Sequence, residues 1–277
     1  MHDLNNLLFT LLIYIGSFSA GLLGSLTGLG GGVIVVPMLT VLFGVDIHFA
    51  AGASLISVIA TSSGAASAYV KEGFSNIRIG MFLEIATTIG AVIGASIVGL
   101  ISANVVSIIF AVILVYSAVT TFIKKNEHII REPDPIAQKL KLNGNYPVDD
   151  TFVSYHVQKV PQGFVMMIFA GVLSGLLGIG SGAAKVLAMD QIMKIPFKVS
   201  TTTSNFMIGV TAAASAGIYL KNGYIHASLV MPVMLGVLTG AFLGARLLTY
   251  TSSKSLKIIF SVIILVMAYE MLKSGLK

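Results

Sequence analysis

Apolar runs about as long as a bilayer is thick recur along the chain and limit its folds. They cover residues 7–27, 33–43, 49–70, 79–101 and 105–123, and then 164–177, 183–193, 199–220, 227–250 and 256–272. A spanning helix needs ~20 apolar residues, so four of the first five runs can cross a membrane. Only 10% of the residues are charged, against about 25% in soluble domains. We therefore predict an all-α polytopic membrane protein.

The two sets of runs are related by an internal duplication. Shifting the sequence by 150 residues aligns the halves without a gap from Ala20 to Ile123. Leu, Ile and Val coincide by chance in apolar segments, so the informative identities are those of Gly, Tyr, Lys and Ser. They include Gly28/Gly178, Gly30/Gly180, Gly32/Gly182, Ser54/Ser204, Tyr69/Tyr219, Lys71/Lys221, Gly90/Gly240 and Gly94/Gly244.

These boundaries predict a first transmembrane repeat over residues 1–123, a polar linker over 124–162 and a second repeat over 163–277. Within the linker, Asn143-Gly144 is a hairpin-type turn signal, and residues 154–160 alternate weakly in polarity. Either a small exposed strand pair or an irregular loop fits this pattern.

Positive charges predict the orientation of the chain in the membrane. Each repeat is expected to hold a glycine-broken short helix, or a re-entrant hairpin, plus three spanning helices. If the repeats are inverted, one side collects twelve cations and the other side three; parallel repeats would divide them less sharply. The twelve are Lys71, Arg78, Lys124, Lys125, Arg131, Lys139, Lys141, Lys159, Lys194, Lys198, Lys254 and Lys257. We predict inverted repeats in the cell inner (plasma) membrane, with the linker cytoplasmic and both termini outside.

A glycine-rich stretch precedes the short apolar run in each half. The first comprises Gly28, Gly30, Gly31 and Gly32, and the second comprises Gly178, Gly180, Ser181 and Gly182. Broken helices survive in hydrocarbon only where protein or a water-filled cavity surrounds them. Paired short helices in two repeats indicate a transporter binding site, and their free N–H groups suit an anion. For Gly90/Gly94 and Gly240/Gly244 we predict close helix packing instead.

Hydroxyl-rich segments at equivalent positions follow the short runs. We expect them to open the next helices, where Ser54 would cap its helix and Thr203, Ser204 and Asn205 would contact the solute. For each of these four residues, the two possible roles are capping the helix and contacting the solute.

Ionisable residues inside apolar runs are costly and therefore suggest function. They are Glu84, Lys185, Asp190, Arg246 and Glu270. Lys185 either contacts an anion or forms a buried pair with a carboxylate. The candidate partners are Glu84 and Asp190, but Asp190 is five residues further on, about 140° around a helix, so its pairing with Lys185 on one face is disfavoured. Glu84 and Asp190 are also candidate proton carriers. Arg246 and Glu270, near helix ends, are expected at the interface.

Several functions are disfavoured by what the sequence lacks. Without Cys there are no disulfides or thiolate metal sites, and His48, His128, His156 and His226 do not have metal-site spacing. The net charge of +6 is spread over short loops and the linker, without a basic helix, so it predicts no nucleic-acid partner. No hydrolase motif occurs. We expect no cofactor and no catalytic activity.

One family shares this pattern. Gly28-Leu29-Gly30-Gly31-Gly32 with Pro37 and Leu39, followed by Ala51-Gly52-Ala53-Ser54-Leu55, resembles the repeated signature of the TauE/SafE family of bacterial sulfite exporters and sulfonate permeases. The resemblance covers nearly the whole chain except the linker. It implies a duplicated inner-membrane protein that moves small sulfur oxyanions or organosulfonates by a proton-linked route. The second repeat departs from the signature at Ser181, Lys185 and Leu187.

The functional prediction is a secondary transporter for a small anion, with the bilayer and the solute as its partners. A homo-oligomer stays open. A passive anion channel is the alternative within transport. An alternative of another class is a membrane-embedded enzyme or scaffold, with Glu84 and Asp190 as acid and base.

Overall fold

The computed structural model describes residues 2–27, 31–71, 75–122, 134–148, 151–180, 182–247 and 253–276. The first half contains α1 (His2–Thr27), α2 (Gly32–Pro37) with a π-helical turn (Met38–Leu42), α3 (Ile47–Lys71), α4 (Ile77–Ile97) and α5 (Ala103–Phe122). The second half contains α7 (Val160–Leu177), α8 (Gly182–Leu187) with a π-helical turn (Ala188–Ile192), α9 (Phe197–Lys221), α10 (Ala227–Leu247) and α11 (Ser253–Gly275). The bounds of α2, α3 and α4 and those of α8, α9 and α10 differ by the same 150 residues as the sequence identities.

The outer helices carry apolar side chains on their exposed faces. On α4, Met81, Ile85 and Ile89 are 63%, 58% and 48% exposed, one helical turn apart. Such a stripe is unfavourable in water and suits lipid. Among the described residues, α1, α4, α7 and α10 each contain a stretch long and apolar enough to cross a membrane. The prediction of an all-α polytopic membrane protein is confirmed.

The two 25-residue helices α3 and α9 lie at the centre of the bundle. Tyr219 on α9 is fully buried, and its hydroxyl donates a hydrogen bond of 3.0 Å to the carbonyl of Leu176 on α7. Buried polar side chains such as Thr211 and Ser215 are also placed on α9. The buried faces of these helices pack against protein, which explains how they tolerate more Ser and Thr than the outer helices.

Glycine pairs bring helices of opposite halves into backbone contact. A Cβ on Gly90 would overlap the carbonyl oxygen of Ile168, and a Cβ on Gly94 would overlap that of Val172. The equivalent contacts pair Gly240 with Phe18 and Gly244 with Leu22. The packing predicted for these four glycines is confirmed. Because both residue numbers rise together along each interface, α4 runs parallel to α7 and α1 runs parallel to α10.

The central pair has the opposite geometry. His48, in the first turn of α3, stacks on Tyr224, just beyond the end of α9, with ring centroids 5.1 Å apart. Gly209 in the middle of α9 lies against Ser62 in α3. The equivalent helices α3 and α9 are therefore antiparallel. At the C-terminus, Gly275 of α11 packs against Asn104 at the start of α5, so these two helices are antiparallel as well.

The linker forms a short helix α6 (Pro135–Lys139) and an antiparallel pair of strands, β1 (Gly144–Val148) and β2 (Thr151–Tyr155). Asp134 caps α6 by accepting a 2.8 Å hydrogen bond from the amide of Ile136. Of the two alternatives for the linker, the structure contains the strand pair, and Asn143-Gly144 lies at the outer end of β1, opposite Tyr155, rather than at the turn. Residues 124–133 lie outside the described part, and α7 begins at Val160, before the predicted repeat boundary.

Asn76 fastens the linker to the membrane bundle. Its side-chain oxygen caps α4 by accepting from the amide of Ile79, at 3.1 Å. Its Nδ2 donates to the hydroxyl of Tyr155 at 2.7 Å and to the carbonyl of Leu142 at 3.1 Å. Its backbone amide donates to Oγ1 of Thr203 at 3.0 Å. The linker therefore covers the end of the bundle at which α4, α7 and α9 begin.

Burial raises the pKa of the Tyr155 phenol to about 12, although the hydrogen bond from Asn76 opposes that rise. A docked linker holds the phenol neutral, whereas an undocked one ionises near its ordinary pKa of about 10. Docking is therefore expected to be unaffected below about pH 10, and to weaken by about 1.4 kcal/mol per pH unit between pH 10 and 12. The ultraviolet difference spectrum between wild type and Tyr155→Phe should show a phenolate titrating at about pH 12. Titration near the ordinary pKa would contradict this docked position.

Candidate functional site

The second glycine stretch separates α7 from the short helix α8. Gly178 ends α7, and its amide donates a 2.9 Å hydrogen bond to the carbonyl of Ser174. Gly178 and Gly180 have φ of 69° and 72°, a conformation that L side chains rarely adopt. Gly28, Gly30 and Ser181, also predicted in the site, lie outside the described residues.

Each short helix continues into a π-helical turn, a feature frequent at functional sites. Pro37 ends α2 ahead of the first turn, so it could be held responsible for the irregularity. The second π-helical turn follows Leu187, which has the backbone N–H that proline lacks. This turn is also five residues long. The irregularity therefore belongs to the architecture of both repeats and does not require proline.

The described glycines of the two stretches are buried and meet at the centre of the bundle. A Cβ on Gly32 would lie 2.8 Å from Val58 and 3.5 Å from Cα of Ile179. A Cβ on Gly180 would lie 2.7 Å from Ile208 and 3.3 Å from Val58. Gly31, Gly178 and Gly182 are buried nearby. Both breaks therefore adjoin the place where α3 and α9 pass each other.

Two equivalent serines connect the central helices to the short ones. Oγ of Ser54 donates to the carbonyl of Gly32 at 3.5 Å, and Oγ of Ser204 donates to the carbonyl of Gly182 at 3.2 Å. The prediction that the hydroxyl-rich segments open the helices is wrong, because α3 begins at Ile47 and α9 at Phe197. Ser54 is therefore not an N-cap; both serines lie about two turns inside their helices.

Lys185 is fully buried on α8 and belongs to a polar chain of three residues. Its Nζ donates a 2.5 Å hydrogen bond to Oγ1 of Thr211 on α9. The Thr211 hydroxyl donates at 2.6 Å to Oε1 of Glu84 on α4. The ammonium also lies 4.0 Å from Oε2 of Glu84. Of the two interpretations for Lys185, the structure therefore contains the buried pair, and the partner is Glu84.

The two oxygens of the Glu84 carboxylate differ in their hydrogen bonds. Its Oε1 accepts from Thr211 and also from Oγ1 of Thr88, at 3.2 Å. Its Oε2 is buried and, within the described part of the chain, has no hydrogen-bond partner. A buried carboxylate oxygen without a donor costs free energy, so it is a natural place for a proton or a polar guest.

The remaining predicted site residues are more dispersed. Asp190 is buried in the second π-helical turn and accepts a 2.7 Å hydrogen bond from Nε2 of Gln191. Thr203 is engaged by the amide of Asn76, at the end covered by the linker. Asn205 is half-buried on the same helix. Glu270 is partly exposed and lies 4.0 Å from Lys273, which supports its predicted interfacial position. The side chain of Arg246 lies outside the described part.

The polar chain occurs on one side of the pseudosymmetric bundle. The residues equivalent to Lys185, Thr211 and Glu84 under the 150-residue offset are Val35, Thr61 and Met234. None of these three carries a charge. The described residues also contain no group of three His, Asp or Glu side chains that could hold a metal ion.

Sequence reasoning missed Thr211, Thr88 and Asn76. A threonine inside an apolar helix usually satisfies its hydroxyl on the preceding turn, and Thr211 also lies 3.1 Å from the carbonyl of Met207. Nothing in the sequence therefore distinguished Thr211 from its neighbours. Asn76 could have been suspected as the N-cap of α4, but its contacts with the linker join residues far apart in sequence.

A membrane bundle with paired broken helices and a buried ion pair is typical of membrane transport proteins. The model of the sulfite exporter TauE/SafE family matches residues 13–271, and the chain belongs to this family. The predicted resemblance is confirmed. No solved structure matches the chain.

The curated relatives extend over nearly the whole chain. A probable membrane transporter protein of Bacillus subtilis, YunE, is 26% identical, covering 97% of this chain and 98% of its own length. A second from that bacterium, YdhB, is 28% identical over 85% of this chain and 89% of its own. A probable membrane transporter protein of Methanocaldococcus jannaschii is 26% identical, covering 96% of each chain. The chain is thus similar to membrane transporters along its full described bundle.

Proposed function

We propose that the protein is a secondary transporter of a small anion, a sulfur oxyanion or organosulfonate, and not an enzyme. The observation that carries the proposal is Lys185, which is fully buried beside a helix break in a membrane bundle. A buried ammonium in a spanning protein is costly unless partners or a ligand compensate for it. The partner here is Glu84, whose Oε2 lies 4.0 Å from the ammonium, so the pair is not closed by a direct hydrogen bond at that oxygen.

The proposed architecture is a pair of inverted repeats. It is supported by the equivalent helices α3 and α9, which are antiparallel. It is also supported by the equivalent helices α1 and α7, which begin at opposite ends of the bundle. The linker end of the bundle carries Arg78, Lys139, Lys141, Lys159, Lys194 and Lys198, so we place it in the cytoplasm and both termini outside, in the cell inner membrane. Inverted repeats suit alternating access around a fixed central site.

The proposed binding region lies between the two glycine stretches and Lys185. We assign to it Gly28, Gly30, Gly31 and Gly32 of the first repeat and Gly178, Gly180, Ser181 and Gly182 of the second, with Gly28, Gly30 and Ser181 included on the sequence repeat alone. Ser54, Ser204, Thr203 and Asn205 complete the set. The meeting of the described glycines beside α3 and α9 supports a shared site. In this proposal Glu84 and Asp190 carry the coupling proton.

The test uses purified protein in proteoliposomes and a panel of radiolabelled solutes: sulfite, sulfate, methanesulfonate and acetate, with choline and glycerol as non-anionic solutes. We expect saturable, protonophore-sensitive accumulation of at least one sulfur anion, and loss of that uptake in Lys185→Met. Uptake without accumulation would indicate a channel. Transport confined to choline or glycerol would contradict the proposed substrate class.

A further inference from the structure

The charges at the polar chain cancel before any solute arrives. Lys185 contributes one positive charge and Glu84 one negative charge, 4.0 Å apart and both buried. An anion that binds Lys185 therefore adds a negative charge that nothing in the pair compensates. An uncompensated charge in a protein interior costs several kcal/mol, roughly, so the site must gain a positive charge together with the anion.

Within the described part of the chain, the elements packed around Glu84 offer no second cation for this purpose. The α7 helix has no ionisable side chain. The ionisable residues of α9 are Lys198, Tyr219 and Lys221, all near its ends, and Arg78 lies at the start of α4. Asp190, in the π-helical turn after α8, adds a negative charge rather than a positive one. The neutral residues at the equivalent positions of the other repeat supply none either.

We propose that Glu84 takes up one proton for each anion that Lys185 binds, and that the site therefore selects singly charged anions over dianions. This inference rests on the proposed anion transport. The proton comes from water on the side from which the anion enters and bonds to Oε2, the oxygen without a hydrogen-bond donor. Oε1 keeps its hydrogen bonds from Thr211 and Thr88. Protonated Glu84, charged Lys185 and a monoanion then sum to zero, as the empty site does.

The experiment measures proton uptake when anions are added to the purified full-length chain in weakly buffered detergent solution. Methanesulfonate is the monoanion probe and sulfate is the dianion probe. Wild type should take up one proton per methanesulfonate bound, its affinity should therefore fall about tenfold per pH unit wherever that proton is taken up, and sulfate should bind more weakly. Glu84→Gln, which keeps an acceptor for Thr211, should bind methanesulfonate without proton uptake. The exposed Glu270→Gln control should behave as wild type.

Two outcomes separate this inference from the proposed function. Methanesulfonate binding without proton uptake in wild type, or with unchanged uptake in Glu84→Gln, overturns the inference and leaves anion transport standing. No binding of either anion, together with no anion uptake by proteoliposomes, overturns both. If Glu84→Gln does not fold, the dependence of wild-type methanesulfonate uptake on membrane potential tests the inference without the variant. One monoanion moving with one proton carries no charge, so acceleration of methanesulfonate uptake by an inside-positive potential contradicts the inference.

Discussion

Replacing Lys185 with methionine is expected to lower the free energy of unfolding by about 3–5 kcal/mol, because the buried Glu84 carboxylate then loses its cation. Glu84→Gln should cost a comparable amount, since it leaves a buried ammonium without a carboxylate. The double variant removes both charges and keeps similar volumes, so it should recover most of the stability while still failing to bind an anion. Thermal unfolding in detergent, arranged as a double-mutant cycle, measures this coupling.

A second ion pair in the same chain provides the control. Lys273 and Glu270 are also 4.0 Å apart, but their side chains are 55% and 38% exposed. Lys273→Met should therefore change stability by less than about 1 kcal/mol. Two results would contradict a stabilising interaction between Lys185 and Glu84. One is that the losses of unfolding free energy in the Lys185 and Glu84 variants simply add in the double variant. The other is that Lys273→Met destabilises the protein as much as Lys185→Met.

Gly90→Ala is expected to separate α4 from α7 and to destabilise the protein by about 1–3 kcal/mol. The added Cβ would overlap the carbonyl oxygen of Ile168, and a backbone atom cannot move aside as a flexible side chain can. Gly240→Ala should cost a similar amount through the equivalent contact with Phe18. Because the two sites lie on different interfaces, their effects should add. Unfolding of both single variants and the combined variant tests this symmetry.

Gly217→Ala separates crowding from helix propensity. Gly217 lies within α9, and a Cβ built on it meets no atom within 4 Å. Alanine there should be neutral or stabilise the helix by up to about 1 kcal/mol. Equal destabilisation by Gly217→Ala and Gly90→Ala would mean that the close approach of α4 and α7 is not what selects glycine.

The sequence was sufficient for features that depend on periodicity and spacing. Long apolar runs predicted the spanning helices, and the 150-residue offset anticipated the equal bounds of α3 and α9. Glycines at Gly90 and Gly240 predicted close packing because a four-residue spacing places small residues on one face of a helix. The angular argument disfavoured a Lys185–Asp190 pair, and in the structure the carboxylate near Lys185 is that of Glu84.

Features that depend on long-range contacts could not be predicted in this way. The predicted starts of α3 and α9 were too late because the polar segments near Ser54 and Ser204 resemble helix caps. For α3, the residue that supports the earlier start is Asp46. Its side chain and carbonyl accept hydrogen bonds from the amides of His48 and Ala50. The role of Thr211 emerged only when three helices from two repeats came together. The residue type at one position does not indicate which distant residues it will contact.

The hydrogen bond from Ser204 to Gly182 has a mechanical consequence. It couples α8 to α9, and the bond from Lys185 to Thr211 couples the same two helices again. Lys185 and Thr211 would thus travel together in any rocking movement, whereas Glu84 rides on α4. Because Thr211 also donates to Glu84, and the amide of Asn76 at the start of α4 donates to Thr203, α4 is hydrogen-bonded to the same unit at two points. A movement that separates Lys185 from Glu84 therefore has to break the Thr211–Glu84 hydrogen bond.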